Sequence, residues 1–295
     1  MDGGMDDRLA THFAHLFIRD PIVVFEEDLL KLDMTKADHF ENIQSTNWQH
    51  MRFKPPPAGS DIGWRVEFRP MEIQVTDFEN AALSVFMVLL TRAILTFDLN
   101  FYVPIRRVDE NMQTAHRRDA VLNEKFWFRK DPFPQRISAR SSPDSSPPRS
   151  RGSSRVRTPT GPVEDEYTLM TVDEIINGTL SPDGSGFPGL IPIVESYLDS
   201  VNLDVATQCA LQEYMQLIRQ RANGTLWTAA RWTREFVAHH PDYARDSVVS
   251  EKITKDLVGA VIKIGERELA GGGFAGLDVW GLDKLVGSLR RDAPC

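Results

Sequence analysis

The sequence predicts an α+β chain, mostly helical with a small antiparallel sheet segment. Apolar residues recur at helical spacing through most of the chain, often behind a Ser, Thr or Asp able to cap a helix. Two-residue alternation is confined to about residues 62–76, with a second candidate at 99–105. The 295 residues, 41% of them hydrophobic, suffice for one large or two ordinary domains with a substantial core. No internal repeat divides them.

Taken in order, "RLATHFAHLFIRDP" places Leu9, Phe13, Leu16 and Phe17 on one helical face, and Pro21 ends the element. A polar stretch through "KADHFENIQSTNWQHMRFKPPPAGSD" reads as a long loop, because Pro55 to Pro57 and Gly59 exclude regular structure. "DIGWRVEFRPMEIQ" then alternates: Ile62, Trp64, Val66 and Phe68 commit one face to a core, and Arg65, Glu67 and Arg69 line the other. Thr76 and Glu79 form a capping-box pattern that opens an apolar helix to about Phe97, and a second helix is expected from Asp109 to near Lys130. "TVDEIING" carries a second capping pair, Thr171 and Glu174, with Gly178 at its end. Asp204 starts a helix that Asn223 and Gly224 end. Thr225 starts one carrying Trp227, Trp232 and Phe236, stopped by Pro241, and the last helix runs through "SEKITKDLVGAVIKIGERELA". The order of the tail beyond the triple glycine at 271–273 cannot be read from its composition.

The net charge of −8 excludes the sequence-independent grip on nucleic acid that needs a surplus of Lys and Arg. Residues 136–157 run against the average, with six Arg and one Asp. This stretch belongs to an Arg/Ser/Pro-rich insertion at 132–163 that is expected to be disordered, having too few apolar side chains to offset the entropy of ordering it. Ser142, Ser146 and Thr158, each followed by proline, are candidate phosphorylation sites, whereas RNA binding by its arginines lacks stacking aromatics. The insertion separates residues 1–131 from a helical region at 164–295. Two cysteines, Cys209 and Cys295, cannot build a disulfide framework, so the expectation is a reducing, cytoplasmic compartment. No signal peptide is expected from the opening residues. "AALSVFMVLLTRAILTF" approaches the length of a membrane span, but Arg92 lies inside it and a core helix is the cheaper reading, so no membrane association is expected. Cys209 falls within a helix, as a buried structural thiol or an exposed one that meets a partner. His12 and His15 stand three residues apart without a third metal ligand, and His239 and His240 read as a helix terminus.

Arg65, Glu67 and Arg69, spaced about 7 Å apart along one face, form a row of alternating charge. Three readings stand: a solvated sheet face, a buried ion network that fixes register, or the wall of a polar cavity. In the third, the carboxylate supplies a hard oxygen for Mg²⁺ and the guanidinium a planar fork for phosphate.

The stretch "HFENIQSTNWQHMRFKPPPAGSDIGWRVEFRPMEIQVTDFEN" resembles the signature region of the eukaryotic glutamate–cysteine ligase catalytic subunit. "AHLFIRDP", "VDENM", "RRDAVL", "EYTLMTVDEIING", "FPGLIPIV" and "ARWTREFVAHHPDY" resemble the same family in the same order, over most of residues 9–250. The resemblance implies a glutamine-synthetase-like fold and an ATP- and Mg²⁺-dependent joining of the glutamate side-chain carboxylate to the cysteine amine through a γ-glutamyl phosphate, the first step of glutathione synthesis. It implies that Glu67 is a metal ligand, that Arg69 contacts the transferred phosphate, and that Arg52, Lys54 and Trp48 border the nucleotide. Residues 1–131 become part of the ligase catalytic domain, and a modifier subunit becomes an expected partner. Catalytic subunits of the family are much longer than this chain, and their preceding half supplies further acidic ligands. The expectation is therefore a C-terminal part of the enzyme, inactive alone. The alternative is a non-catalytic module that binds a full-length catalytic or modifier subunit.

Overall fold

The structure, a computed structural model, describes residues 6–16, 26–27, 51–54, 59–63, 65–68, 71, 74–133, 163–179, 186–270 and 277–286. The chain divides into two compact units, Met1–Ile73 with Pro104–Arg106, and Gln74–Val103 with Arg107–Cys295. Among the described residues helix dominates and the strands form two small antiparallel pairs, consistent with an α+β chain.

In the first unit, α1 (Asp7–Leu16) forms where the apolar spacing predicts it and buries Phe13. β1 (Met51–Lys54) pairs antiparallel with β2 (Arg65–Phe68). β1 corrects the expectation of a continuous loop. "MRFK" alternates apolar and basic residues just before the prolines, and Pro55 to Pro57 set where the strand stops rather than preventing it. β2 corrects the expected burial. Val66 is 59% exposed and Phe68 40%, with Ile62 and Met71 also exposed. A two-stranded ribbon of four-residue strands has no layer of its own to cover its apolar face, and alternation by itself cannot supply one.

The second unit is built around α2 (Asp77–Phe97). Both halves of its capping box are present: Glu79 N donates to the Thr76 hydroxyl (3.2 Å) and Thr76 N donates to the Glu79 carboxylate (3.0 Å). By length and composition α2 could cross a membrane. In this fold its Phe86 and Leu90 join the core formed with α6 (Leu190–Asp199) and α7 (Val205–Ala222), whereas Val88 and Leu95 remain exposed.

The helix expected from Asp109 to Lys130 is three elements: α3 (Ile105–Ala115), a short α4 (Ala120–Asn123), and strand β3 (Lys125–Arg129). The break falls at Asp119, whose φ of 52° is a left-handed conformation that Asp tolerates better than most residues. "KFWFR" then prefers extended backbone because its aromatics pack well on a pleated surface. The candidate strand at 99–105 is instead irregular chain leading into α3, held where Asn100 N donates to Pro132 O (2.7 Å).

β3 pairs antiparallel with β4 (Tyr167–Thr171), with Arg129 opposite Tyr167. Lys130 N donates to Glu166 O (2.9 Å), so the chain leaves and re-enters the sheet at one point. Loop-closure entropy grows slowly with length, so a hairpin can carry an insertion there. Within the expected insertion, residues 134–162 lie outside the described residues.

The second capping box forms as expected, opening α5 (Val172–Asn177). α7 starts at Asp204, whose side chain accepts from Thr207 N (2.9 Å). α8 (Ala229–His239) is capped by Thr228, not Thr225, which leaves Trp227 outside the helix. α9 (Glu251–Leu269) starts at Ser250. Within the tail, unreadable from composition, the described residues include α10 (Leu282–Val286), which buries Leu282, Leu285 and Val286 with Trp232, Ala260 and Ile264.

Candidate functional site

The first unit's hairpin carries Arg52, Lys54, Arg65 and Glu67 on its two strands. Lys54 forms an ion pair with Glu67, and the strand register sets Arg52 opposite Glu67 and Lys54 opposite Arg65. Lys54 was expected on a loop. The signal that could have found its pairing is the matching alternation in "RFK" and "RVEF", which an antiparallel ribbon brings onto one face with Lys54 diagonal to Glu67. Arg65 is exposed, and Glu67 is half-buried. Arg69 and Trp48 lie outside the described residues, as do Trp64 and Pro70.

The Lys54 and Glu67 side chains are each 31% exposed. Ion pairs near solvent contribute only about 0–1 kcal/mol, so giving up this one ammonium contact to a divalent cation costs little. Mg²⁺ is commonly held by one or two carboxylates together with substrate phosphates, and a displaced lysine beside it is free to meet those phosphates. The donor set on this hairpin therefore suits a metal–nucleotide pair. Among the described residues no group of three or more His, Cys, Asp or Glu side chains could hold a metal without such phosphates.

His12 is half-buried with its ring edge against Phe13, and burial, then His15, hold its pKa below the ordinary value. That favours the neutral ring. Cys209 is half-buried and disulfide-bonded, which corrects both thiol readings. His239 closes α8, and His240 Nε2 lies 3.0 Å from Asp256 Oδ2 on α9.

Several of the recurrent sequence blocks frame the second unit. In "VDENM", Asn111 accepts from Trp127 N (2.6 Å) and donates to Trp127 O (2.9 Å), completing the edge of β3 as another strand would. Glu110 accepts from Trp127 Nε1 (2.8 Å), and Arg107 lies 4.0 Å over the same ring. Asp119 of "RRDAVL" accepts from Arg234 of "ARWTREF" (2.7 Å).

Comparison with known proteins decides the affiliation. The family model described as glutamate-cysteine ligase matches residues 1–264. The chain belongs to the glutamate–cysteine ligase family. It is 66% identical over 317 aligned residues to the glutamate–cysteine ligase of Neurospora crassa, covering 100% of this chain and 43% of that protein. Against the mouse glutamate–cysteine ligase catalytic subunit it is 51% identical over 279 residues, covering 93% of this chain and 42% of the relative. For the Schizosaccharomyces pombe ligase the figures are 52% over 260 residues, 88% and 35%. The chain thus spans less than half the length of these glutamate–cysteine ligases, and the hairpin carrying Lys54 and Glu67 lies inside the matched region.

Proposed function

We propose that this chain carries part of the active site of an ATP-dependent ligase that joins the γ-carboxylate of glutamate to the amine of cysteine through a γ-glutamyl phosphate, within a glutamine-synthetase-like catalytic subunit. The observation that carries the reading is the Lys54–Glu67 pair on one hairpin of a chain belonging to the glutamate–cysteine ligase family. Glu67 would hold Mg²⁺, and Lys54, Arg52 and Arg69 would meet nucleotide phosphates, with Trp48 bordering the nucleotide. Bound Mg²⁺ would neutralise charge on the phosphates. The protein groups orient the phosphoryl group towards the glutamate carboxylate and keep it shielded, since phosphoryl transfer depends mainly on positioning and electrostatics. With Glu67 the one carboxylate on the paired strands β1 and β2, Mg²⁺ is held weakly, and the chain alone is inactive. The proposal includes a cytoplasmic location on the family resemblance alone, since the disulfide at Cys209 removes the cysteine argument for a reducing compartment.

The test is the melting temperature of the folded chain with and without ATP and Mg²⁺, beside dipeptide formation from glutamate and cysteine. The expected result is a nucleotide- and Mg²⁺-dependent rise that Glu67→Gln abolishes, without turnover by the chain alone. A folded chain that shows no such rise refutes the assignment, and so does dipeptide formation that survives Glu67→Gln.

A second reading, a module that binds a full-length catalytic or modifier subunit, is favoured by the exposed apolar residues Val88 and Leu95 on α2 and Val258, Ile262 and Leu269 on α9. Sedimentation of the chain mixed with each subunit separates the readings. A stable complex lost on Leu95→Glu, together with no nucleotide response, supports the module.

A further inference from the structure

The tail of the second unit differs in construction from the helices it packs on. Five of the eleven residues 271–281 are glycine, the residue that loses most freedom on being ordered. The helix that follows, α10, has five residues, far fewer than an isolated helix needs in water. It exists because of what it sits on. Leu282, Leu285 and Val286 fall at i, i+3 and i+4, each no more than 6% exposed, and Asp283 and Lys284 face solvent.

The surface that receives them has its own geometry. Trp232 and Phe236 of α8 and Ala260 and Ile264 of α9 line the apolar groove. Three donors reach backbone carbonyls of the segment: Trp232 Nε1 to Trp280 O (3.0 Å), Trp227 N to Lys284 O (2.6 Å) and Arg221 Nη2 to Leu285 O (3.0 Å). The Trp280 ring stacks on His239 at 4.6 Å and lies 6.1 Å from Trp227. Gly281, at φ 65°, turns the chain between Trp280 and the helix. Apolar anchors at i, i+3 and i+4 laid into an apolar groove are the mark of helix-in-groove peptide recognition, and here main-chain hydrogen bonds are added to them.

We infer that residues 277–286 are a separable docking segment, and that α8 and α9 form a peptide-binding groove for a short amphipathic helix preceded by tryptophan. The groove is occupied in cis. Occupancy is coupled to the start of α2, because Arg221, which donates to Leu285 O, also pairs with Glu79 in the capping box. Releasing the segment opens that buried pair to water. The inference rests on this geometry and is independent of the ligase reading.

The test uses the full chain with residues 271–276 replaced by a protease recognition site, cleaved in thiol reductant so that the Cys209 disulfide is open. A fluorescent peptide of residues 277–290 is then added. The expected result is saturable exchange of the cleaved segment for the peptide, with the helical signal of the remainder retained. Leu285→Asp in the peptide weakens binding by about 100-fold or more, since it removes an apolar anchor and buries a charge. Trp280→Ala, which keeps the carbonyl acceptor but loses the ring stacking, weakens it about 3- to 10-fold. A cleaved segment that never exchanges while the protein stays folded overturns the inference. So does loss of helical signal when the segment leaves, which would make it part of the core, and so does a Leu285→Asp peptide that binds as well as the native one.

Discussion

Arg221→Met should destabilise the second unit by about 3–5 kcal/mol at neutral pH, because it leaves a buried carboxylate without its cation. Glu79 is 1% exposed, and Arg221 is its ion partner. The Thr76 hydroxyl (2.8 Å) and Thr76 N (3.0 Å) also donate to that carboxylate. Burial is the largest influence on Glu79 and raises its pKa above the ordinary value, while Arg221 and the Thr76 donors pull it down. A carboxyl whose folded pKa is raised contributes stability that is fully present below its unfolded value and lost as pH rises through the folded value. Removing Arg221 takes away the largest lowering influence, so the folded value rises further and the loss is greatest at neutral pH. Thermal melting is the assay. At about 2–4 °C per kcal/mol for a unit of this size, the variant should melt roughly 6–20 °C lower at about pH 7.5, and the deficit should narrow towards about pH 5. Adding Glu79→Gln to Arg221→Met should recover most of the loss at neutral pH. An equal deficit at both pH values, or no recovery in the double variant, would refute the argument that an uncompensated buried charge is the cause.

Arg129 is a second buried hub at the base of the insertion, with Nη2 2.8 Å from Glu166 and Nε donating to Asp131 O (3.1 Å). Arg129→Met should cost about 3–5 kcal/mol, and adding Glu166→Gln should restore part of it in chemical denaturation. Gly189 sits at φ 90° with the position of an added Cβ 2.6 Å from Gly178 N, so Gly189→Ala should lower stability by at least about 2 kcal/mol, measured in the same way. Thr171→Ala removes an N-cap and should cost about 1 kcal/mol, seen as faster amide exchange in the first turn of α5.

The helix starts were legible wherever a local side-chain-to-backbone bond sets them. Thr76 with Glu79, Thr171 with Glu174, Asp204 and Ser250 each satisfy amides within three residues, so the short sequence around each contains both partners. The break at Asp119 and the strand at 125–129 were not legible, because Trp127 is held partly by Asn111 on another element and partly by Leu169 across the insertion. Of the candidate site, the alternation that puts Arg65 and Glu67 on one face of β2 could be read from the sequence. The pairing of Glu67 with Lys54 depended on β1, whose partner strand is separated from it by three prolines and a polar loop.

Local chemistry, with periodicity, therefore determined which segments are helical, which residues cap them, and that one short strand carries Glu67 on the same face as Arg65. Tertiary structure decided which groups meet. Glu268 on α9 accepts from Asp77 N (2.8 Å) across 191 positions, and Arg221 reaches Glu79 across 142. It also decided that residues 282–286 are helical, since five residues form a helix only on the surface that buries them, and that the apolar face of β2 is exposed. The physical reason is range. Caps and alternation are satisfied within a few residues, whereas burial and buried charge pairs require surfaces supplied by distant parts of the chain.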